Sequence, residues 1–215
     1  MQKHPIFANT HEFYDADRHQ IHLNWMKKIN FAHNLNRSYF FNSICHPLYT
    51  AFVFHQGQTP VLLHQTMFCK SLEAFSTDEQ REKWLSLAIN YNIHGCYAQT
   101  EIGHGSNVAG LETTATFDKE TDEFVLDMPS ISATKWWPGE LGTMANFALV
   151  FAQLVIEDDG EKNNYGVAPF LVQIRDRETH KHMPGVKTGD MGPKFGYHGK
   201  DNGWMTLNKV RIPRD

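Results

Sequence analysis

Tyr97-Ala98-Gln99-Thr100-Glu101-Ile102-Gly103-His104-Gly105-Ser106-Asn107 marks the place where the chain changes character. On its N-terminal side the apolar residues recur at helical spacing. Ile21, Trp25, Ile29 and Ala32 stand three and four apart after Asp15 and Asp17, a period that places them on one helix face behind acidic start signals. Leu62, Leu63, Met67, Phe68 and Leu72 repeat that spacing over residues 61–75. Ser76-Thr77-Asp78-Glu79-Gln80 then offers two overlapping capping boxes, Ser76 with Glu79 and Thr77 with Gln80. The helix they start is expected to bury Trp84, Leu85, Ala88 and Ile89.

On the C-terminal side the signals are those of strands. Thr113–Phe117 and Glu123–Asp127 are short β-type runs, and the polar link Asp118–Asp122 between them reads as a hairpin loop. Ala145–Ile156 and Tyr165–Arg175 are longer strand candidates, with charged Glu157–Asn164 read as the loop joining them. Gly185–Gly203, rich in glycine and holding Pro193, is expected to be largely irregular. Met205–Ile212 reads as a closing strand. Helices first and strands afterwards imply an α+β fold rather than an alternating parallel one. The expected division is a helical domain over residues 1–95 and a β-domain over residues 96–215.

Composition narrows the function. The chain has 215 residues, 41% hydrophobic, 13% aromatic and 20% charged, which describes a globular protein and not a disordered one. A chain of this length buries roughly 70% of its unfolded surface, enough for a sizeable core without disulfides. A net charge of −4 leaves no basic footprint for nucleic acid. Cys45, Cys69 and Cys96 are odd in number and widely spaced, which fits a reducing compartment better than a disulfide framework. The longest apolar stretch, Phe147–Ile156, interrupted by Gln153, is about half of the roughly 20 residues that span a bilayer, so no membrane span is expected. The N-terminal heptapeptide has no apolar core of a secretory signal, which leaves the sequon Asn36-Arg37-Ser38 with little meaning.

Two stretches carry candidate chemistry. The first is the opening one, whose glycines admit a close ligand and whose hydroxyls and N–H groups can bond polar atoms. Gly103, Gly105 and Gly110 do not have the dinucleotide-fold spacing, and the pattern reads equally as an ordinary loop. The second is Lys135-Trp136-Trp137-Pro138-Gly139-Glu140-Leu141-Gly142, where adjacent tryptophans before Pro-Gly offer a flat apolar wall for a planar ring, or simply pack under a turn. Thirteen histidines invite a metal reading through His19-x-x-His22 and His180-x-His182. No HExxH or Cys/His cluster accompanies them, and no metal is expected.

Taken together these stretches resemble the acyl-CoA oxidases. The resemblance rests on Tyr97-Ala98-Gln99-Thr100-Glu101-x-Gly103-His104-Gly105-Ser106, Gly110–Thr116 and Lys135–Gly139. Gly192-Pro193-Lys194-Phe195-Gly196-Tyr197, Asp201-Asn202-Gly203 and Arg211–Arg214 continue it, with Leu62-Leu63-His64-Gln65 in the helical part. It implies the acyl-CoA dehydrogenase/oxidase architecture, an N-terminal helical segment followed by an antiparallel β-barrel-like domain, with the C-terminal helical domains missing. It also implies FAD, conversion of fatty acyl-CoA and molecular oxygen to trans-2-enoyl-CoA and hydrogen peroxide, a peroxisomal setting and a homodimer.

By the same resemblance Thr100 would bond the flavin ring, Gly139 would contact it through backbone, and Gly105 and Ser106 would face the cofactor's phosphates. Gln99, Trp137 and Pro138 would be neighbours. The family's catalytic base is a glutamate of the C-terminal domain and matches no position here. Glu101 and Glu140 stand beside the motifs but do not match it and are expected to make local hydrogen bonds. Two other readings stand beside the oxidase. One is a dehydrogenase that uses a protein acceptor, against which Trp-Trp-Pro-Gly speaks. The other is a non-catalytic partner that binds flavin or acyl-CoA.

Overall fold

The computed structural model describes residues 17–36, 61–158 and 160–215. Asp15, Cys45, the N-terminal heptapeptide, Arg37 and Ser38 of the sequon, and the side chains of Ile29 and Ala32 lie outside the described residues. Among the described residues no helix is long and apolar enough to cross a membrane. The chain forms two compact units.

The smaller unit holds helix α1 (Arg18–Asn36) and the segment Pro193–Lys200. Asp17 caps α1, its carboxylate accepting from the Gln20 N–H at 2.8 Å. Ile21 and Trp25 are buried on one face as the spacing predicts. They close over Gly199, where a Cβ would sit 3.1 Å from the Trp25 ring. Arg18 secures the same segment by donating to the His198 carbonyl at 2.9 Å.

The larger unit, Leu63–Gly192 with Asp201–Asp215, begins with a π-helical turn (His64–Phe68) that runs into α2 (Cys69–Phe75) and α3 (Asp78–Ile89). Of the two predicted capping boxes the second forms. The Gln80 N–H donates to Thr77 Oγ1 at 3.2 Å, and the Thr77 N–H donates to Gln80 Oε1 at 3.1 Å. Ala88 is fully buried, Trp84 and Leu85 pack partly into the core, and Ile89 is exposed, against expectation. The helix ends one residue later at Asn90, so Ile89 has no following turn to cover it.

Nine strands follow among the described residues: β1 (Gly95–Ala98), β2 (Thr114–Asp118), β3 (Glu123–Asp127), β4 (Lys135–Gly139), β5 (Phe147–Asp158), β6 (Glu161–Gln173), β7 (Val186–Asp190), β8 (Asn202–Leu207) and β9 (Val210–Pro213). One sheet runs β1-β5-β2-β3-β9 with β6 on the other edge of β5, and a second runs β4-β8-β7. Most ladders are antiparallel, but β5 lies parallel to both β1 and β2. β5 is the spine. Phe147, Leu149 and Phe151 face a core shared with the helices, while Ala148, Val150 and Ala152 face the core shared with Met205 and Leu207 of the second sheet. Period-two alternation with burial on both faces is why Phe147–Ala152 reads as a continuous apolar run. Gly95 lets the Phe68 ring lie against β1, since a Cβ there would come within 2.3 Å of the ring.

Three stretches differ from the sequence expectation. Glu157–Asn164 is not a loop, because the β5–β6 ladder continues to Asp158↔Glu161 and turns at Gly160, φ +81°. This end of the hairpin stands in solvent, so polar residues form strand there without an apolar face. Gly185–Gly203 is not irregular throughout, since Val186–Asp190 pairs with β8, and Gly189 makes room for the Trp204 indole. Met205–Ile212 is two strands, because the chain crosses between sheets at Asn208-Lys209, where Lys209 has φ +48°.

Candidate functional site

β1 pairs with the first part of β5, and β2 pairs farther along the same strand, at Gln153–Val155. The intervening loop from Gln99 to Thr113 must therefore leave the sheet edge and return to it. It meets the start of β4 on the way. The Trp136 N–H donates to the Thr100 carbonyl at 2.9 Å, the Ile102 N–H to Thr134 at 3.0 Å and the Gly103 N–H to Ser132 at 2.9 Å. The two motifs singled out in the sequence thus form one structure.

Beneath that junction lies a buried ion pair. Lys135 Nζ donates to Glu101 Oε1 at 2.9 Å, to the Gln99 carbonyl at 3.0 Å and to the Phe151 carbonyl at 2.7 Å. The Glu101 carboxylate also accepts from the Glu112 N–H at 2.8 Å, the Thr113 N–H at 3.0 Å and the Thr113 hydroxyl. Burial pushes the Lys135 ammonium down to about 8, against the opposing pull of Glu101. Above it Thr100 is exposed, and its hydroxyl and N–H take no partner among the described residues. Gln99 is half-buried, and its side-chain oxygen accepts from the Tyr97 hydroxyl at 2.7 Å. Gly105 and Ser106 are exposed farther along the loop. A Cβ at Gly105 would meet nothing within 4 Å, so the space over it is open. At the loop's base Ser130, His104 and Ser132 bond the Glu112 carboxylate and hold its pKa at about 2.

β4 is a strand, not the turn its Pro-Gly suggests, and it carries a bulge between Trp136 and Gly139. Trp137 at φ +80° and Glu140 at φ +73° are both left-handed. For residues with a side chain that costs on the order of 1–3 kcal/mol each and must be held by the surroundings. Asn202 Nδ2 holds the Trp137 carbonyl at 2.8 Å, and the Glu140 N–H donates to the Asp201 carbonyl at 2.6 Å. Pro138 and Gly139 are consequently buried, while Trp136 and Trp137 stay 37% and 47% exposed. The tryptophan pair is not core packing.

Glu140 is buried as well. Its carboxylate accepts from the N–H groups of Leu63 at 3.0 Å and His64 at 2.9 Å, the first turn of the helical layer, and lies 3.1 Å from His94 Nε2. His64 is neutral. Its Nδ1 accepts from the Gly95 N–H at 3.0 Å, so Nε2 carries the proton and donates to the Ala88 carbonyl at 3.0 Å. Burial pushes the imidazole down to about 4. Burial likewise pushes the Cys69 thiol up to about 12 and that of Cys96 higher, so neither is a nucleophile.

Both carboxylates beside the motifs are hydrogen-bonded, but Glu140 bonds Leu63 and His64 across the chain where the sequence leads one to expect local bonds. The sequence reading overlooked Lys135, and it quoted Asn202 without a role. Lysine beside two tryptophans reads as surface; only the β4 pairing shows that it points inward. The histidine pairs do not converge on a metal. The His180 ring lies 2.6 Å from the Thr143 carbonyl, His182 lies 2.9 Å from Thr188 Oγ1, and the His22 ring bonds the Gly199 carbonyl. No group of three metal-ligating side chains occurs among the described residues.

The family profile described as "Acyl-CoA dehydrogenase, middle domain" matches residues 96–210, more than half of the chain. The profile "Acyl-coenzyme A oxidase N-terminal" matches residues 1–94. The chain belongs to the acyl-CoA oxidase family. It is 52% identical over 155 residues to "Acyl-coenzyme A oxidase acox-1.3" of Caenorhabditis elegans, an alignment covering 72% of this chain and 23% of that protein. It is 50% identical over 156 residues to "Peroxisomal acyl-coenzyme A oxidase 1" of Arabidopsis thaliana, covering 71% and 23%. Among solved structures it superposes on acyl-CoA oxidase-2 of Caenorhabditis elegans, bound with FAD, ascaroside-CoA and ATP. That match has a TM-score of 0.91 and 41% identity, and covers 99% of this chain and 32% of that one. Acyl-CoA oxidase 1 of Arabidopsis thaliana gives a TM-score of 0.88 at 40% identity, with 99% and 32% covered. The chain therefore spans about a quarter to a third of the acyl-CoA oxidases it matches. Its Thr100 and Trp136–Gly139 junction lies in the part shared with them.

Proposed function

We propose that this chain is the helical and β portion of an FAD-dependent acyl-CoA oxidase. The reaction would convert fatty acyl-CoA and oxygen to trans-2-enoyl-CoA and hydrogen peroxide, in a peroxisomal homodimer. One observation carries the reading. Thr100, with an unspent hydroxyl and N–H, is bonded through its carbonyl to a half-exposed tryptophan pair.

The donor set fits FAD. Thr100 supplies neutral donors where a reduced flavin ring gathers negative charge, and such fixed donors stabilise it without reorganising. Gly139 would contact the ring through its backbone, with Gln99, Trp137 and Pro138 around it. Gly105 and Ser106 would serve the phosphates, in the open space over Gly105. FAD would supply the two-electron acceptor. Removal of the weakly acidic α-proton of the thioester needs a base. Glu101 and Glu140 are buried and hydrogen-bonded, so we assign the base to neither; by the family resemblance it would be a glutamate of a C-terminal helical domain in the full-length enzyme.

A full-length protein carrying this chain, given palmitoyl-CoA and oxygen, is expected to release hydrogen peroxide and enoyl-CoA in equal amounts. A strict requirement for a protein electron acceptor would overturn the oxidase reading. The 215-residue chain alone is expected to show no acyl-CoA oxidation and to retain FAD weakly or not at all.

A further inference from the structure

We propose that Lys135 and Glu101 are positioning residues, whose buried pair sets Thr100 against Trp136–Gly139 so that the two motifs present one surface. The inference rests on the flavin reading above for what that surface receives. Its structural content does not.

All three protons of Lys135 and both oxygens of Glu101 are engaged at the junction. The three ammonium protons of Lys135 go to Gln99, Glu101 and Phe151, which ties the residue before Thr100, the residue after it and the spine strand to one nitrogen. Glu101 gathers the Glu112 and Thr113 amides, so the far end of the loop is drawn to the same point. Thr100 itself has no side-chain anchor. Its place is set by Gln99 and Glu101 on either side and by its carbonyl's bond to Trp136.

Stability is a poor reason for such a pair. Taking two charges out of water costs several kcal/mol per ion, and apolar replacements of similar volume are often neutral or better. A methionine at 135 could fill the space but could not hold the Gln99 and Phe151 carbonyls. What the pair provides is location. Both side chains are buried, with Glu101 2% exposed and Lys135 0% exposed, and all three Lys135 protons are taken at the junction.

The test is the double variant Lys135→Met with Glu101→Gln. It removes both charges together and keeps an acceptor oxygen for one of the Glu112 and Thr113 amides, which bond different oxygens of the native carboxylate. Amide hydrogen exchange on the full 215-residue chain reads the junction directly. The Trp136 and Ile102 amides are expected to exchange about tenfold faster or more, the loss of about 1.4 kcal/mol of local protection, while the β5–β6 amides keep their rates. Unchanged protection at Trp136 and Ile102, or equal loosening of every strand, would overturn the proposal. If the double variant does not fold, Thr113→Val removes one of Glu101's donors isosterically. It is expected to move the same two amides, and unmoved amides there would count equally against the pair. A parallel FAD titration in a full-length protein carrying the chain is expected to weaken with the double variant as it does with Thr100→Ala. Absence of FAD binding by the unmodified protein would sink the flavin reading and leave the exchange result to decide the positioning role.

Discussion

Two buried carboxylates flank the candidate site, and they are neutralised in different ways. Glu101 meets a full opposite charge, the Lys135 ammonium, together with backbone and hydroxyl donors. Glu140 is held by two backbone amides at the first turn of the helical layer and by a histidine, His94. The first arrangement joins the Thr100 loop to β4 and the spine strand. The second joins the end of β4 to the helices. The Trp136–Gly139 stretch is thus clamped at both ends, by a charge pair that is costly to break singly and by a dipole contact that breaks more gently.

The largest effect should come from breaking the first clamp on one side only. Lys135→Ala leaves Glu101 buried without its counter-charge, and chemical denaturation is expected to show a loss of roughly 3–5 kcal/mol. A loss under 1 kcal/mol would mean that Glu101 takes up a proton cheaply and that the pair is not the stronger clamp.

Acid should act on the second clamp. His64 keeps its neutral form down to about 4 when folded, against an ordinary value of 6.5, so the unfolded chain binds more protons between those two values. The stability this group contributes is complete above pH 6.5 and is lost as pH falls toward 4, by about 3 kcal/mol on the shift alone. Urea midpoints measured across this window should fall in the native chain and flatten in His64→Phe. A parallel fall in both would point to another group.

Removing the charge from the second clamp while keeping its shape is the mildest break. Glu140→Gln retains an acceptor for only one of the Leu63 and His64 amides, which bond different oxygens of the native carboxylate, and a loss of about 1.5–3 kcal/mol is expected as the charged partner disappears. A loss matching Lys135→Ala would erase the distinction between the two clamps.

The legibility of the molecule follows the same division. The spine strand could be read because its first half, Phe147–Ala152, is buried on both faces and therefore apolar throughout. The Thr77 cap was legible because its side chain acts locally. β1 and β4 were not, because they are four and five residues long and carry Gly95, Pro138 and Gly139, which no strand propensity favours. The polar end of the β5–β6 hairpin was missed because backbone pairing alone sustains it. At the site, the glycine loop and the tryptophan pair were visible as motifs. The contact between them was not, since it depends on Lys135 pointing inward, and nothing in the order of residues says which way a lysine points.

The most direct test of the site is the affinity of FAD for a full-length protein carrying this chain, compared with its Thr100→Ala variant by titration of flavin fluorescence. Binding is expected to weaken by up to about tenfold on loss of the hydroxyl, the equivalent of one hydrogen bond to the neutral oxidised ring. Equal affinity and an unchanged flavin spectrum in the two proteins would contradict this expectation.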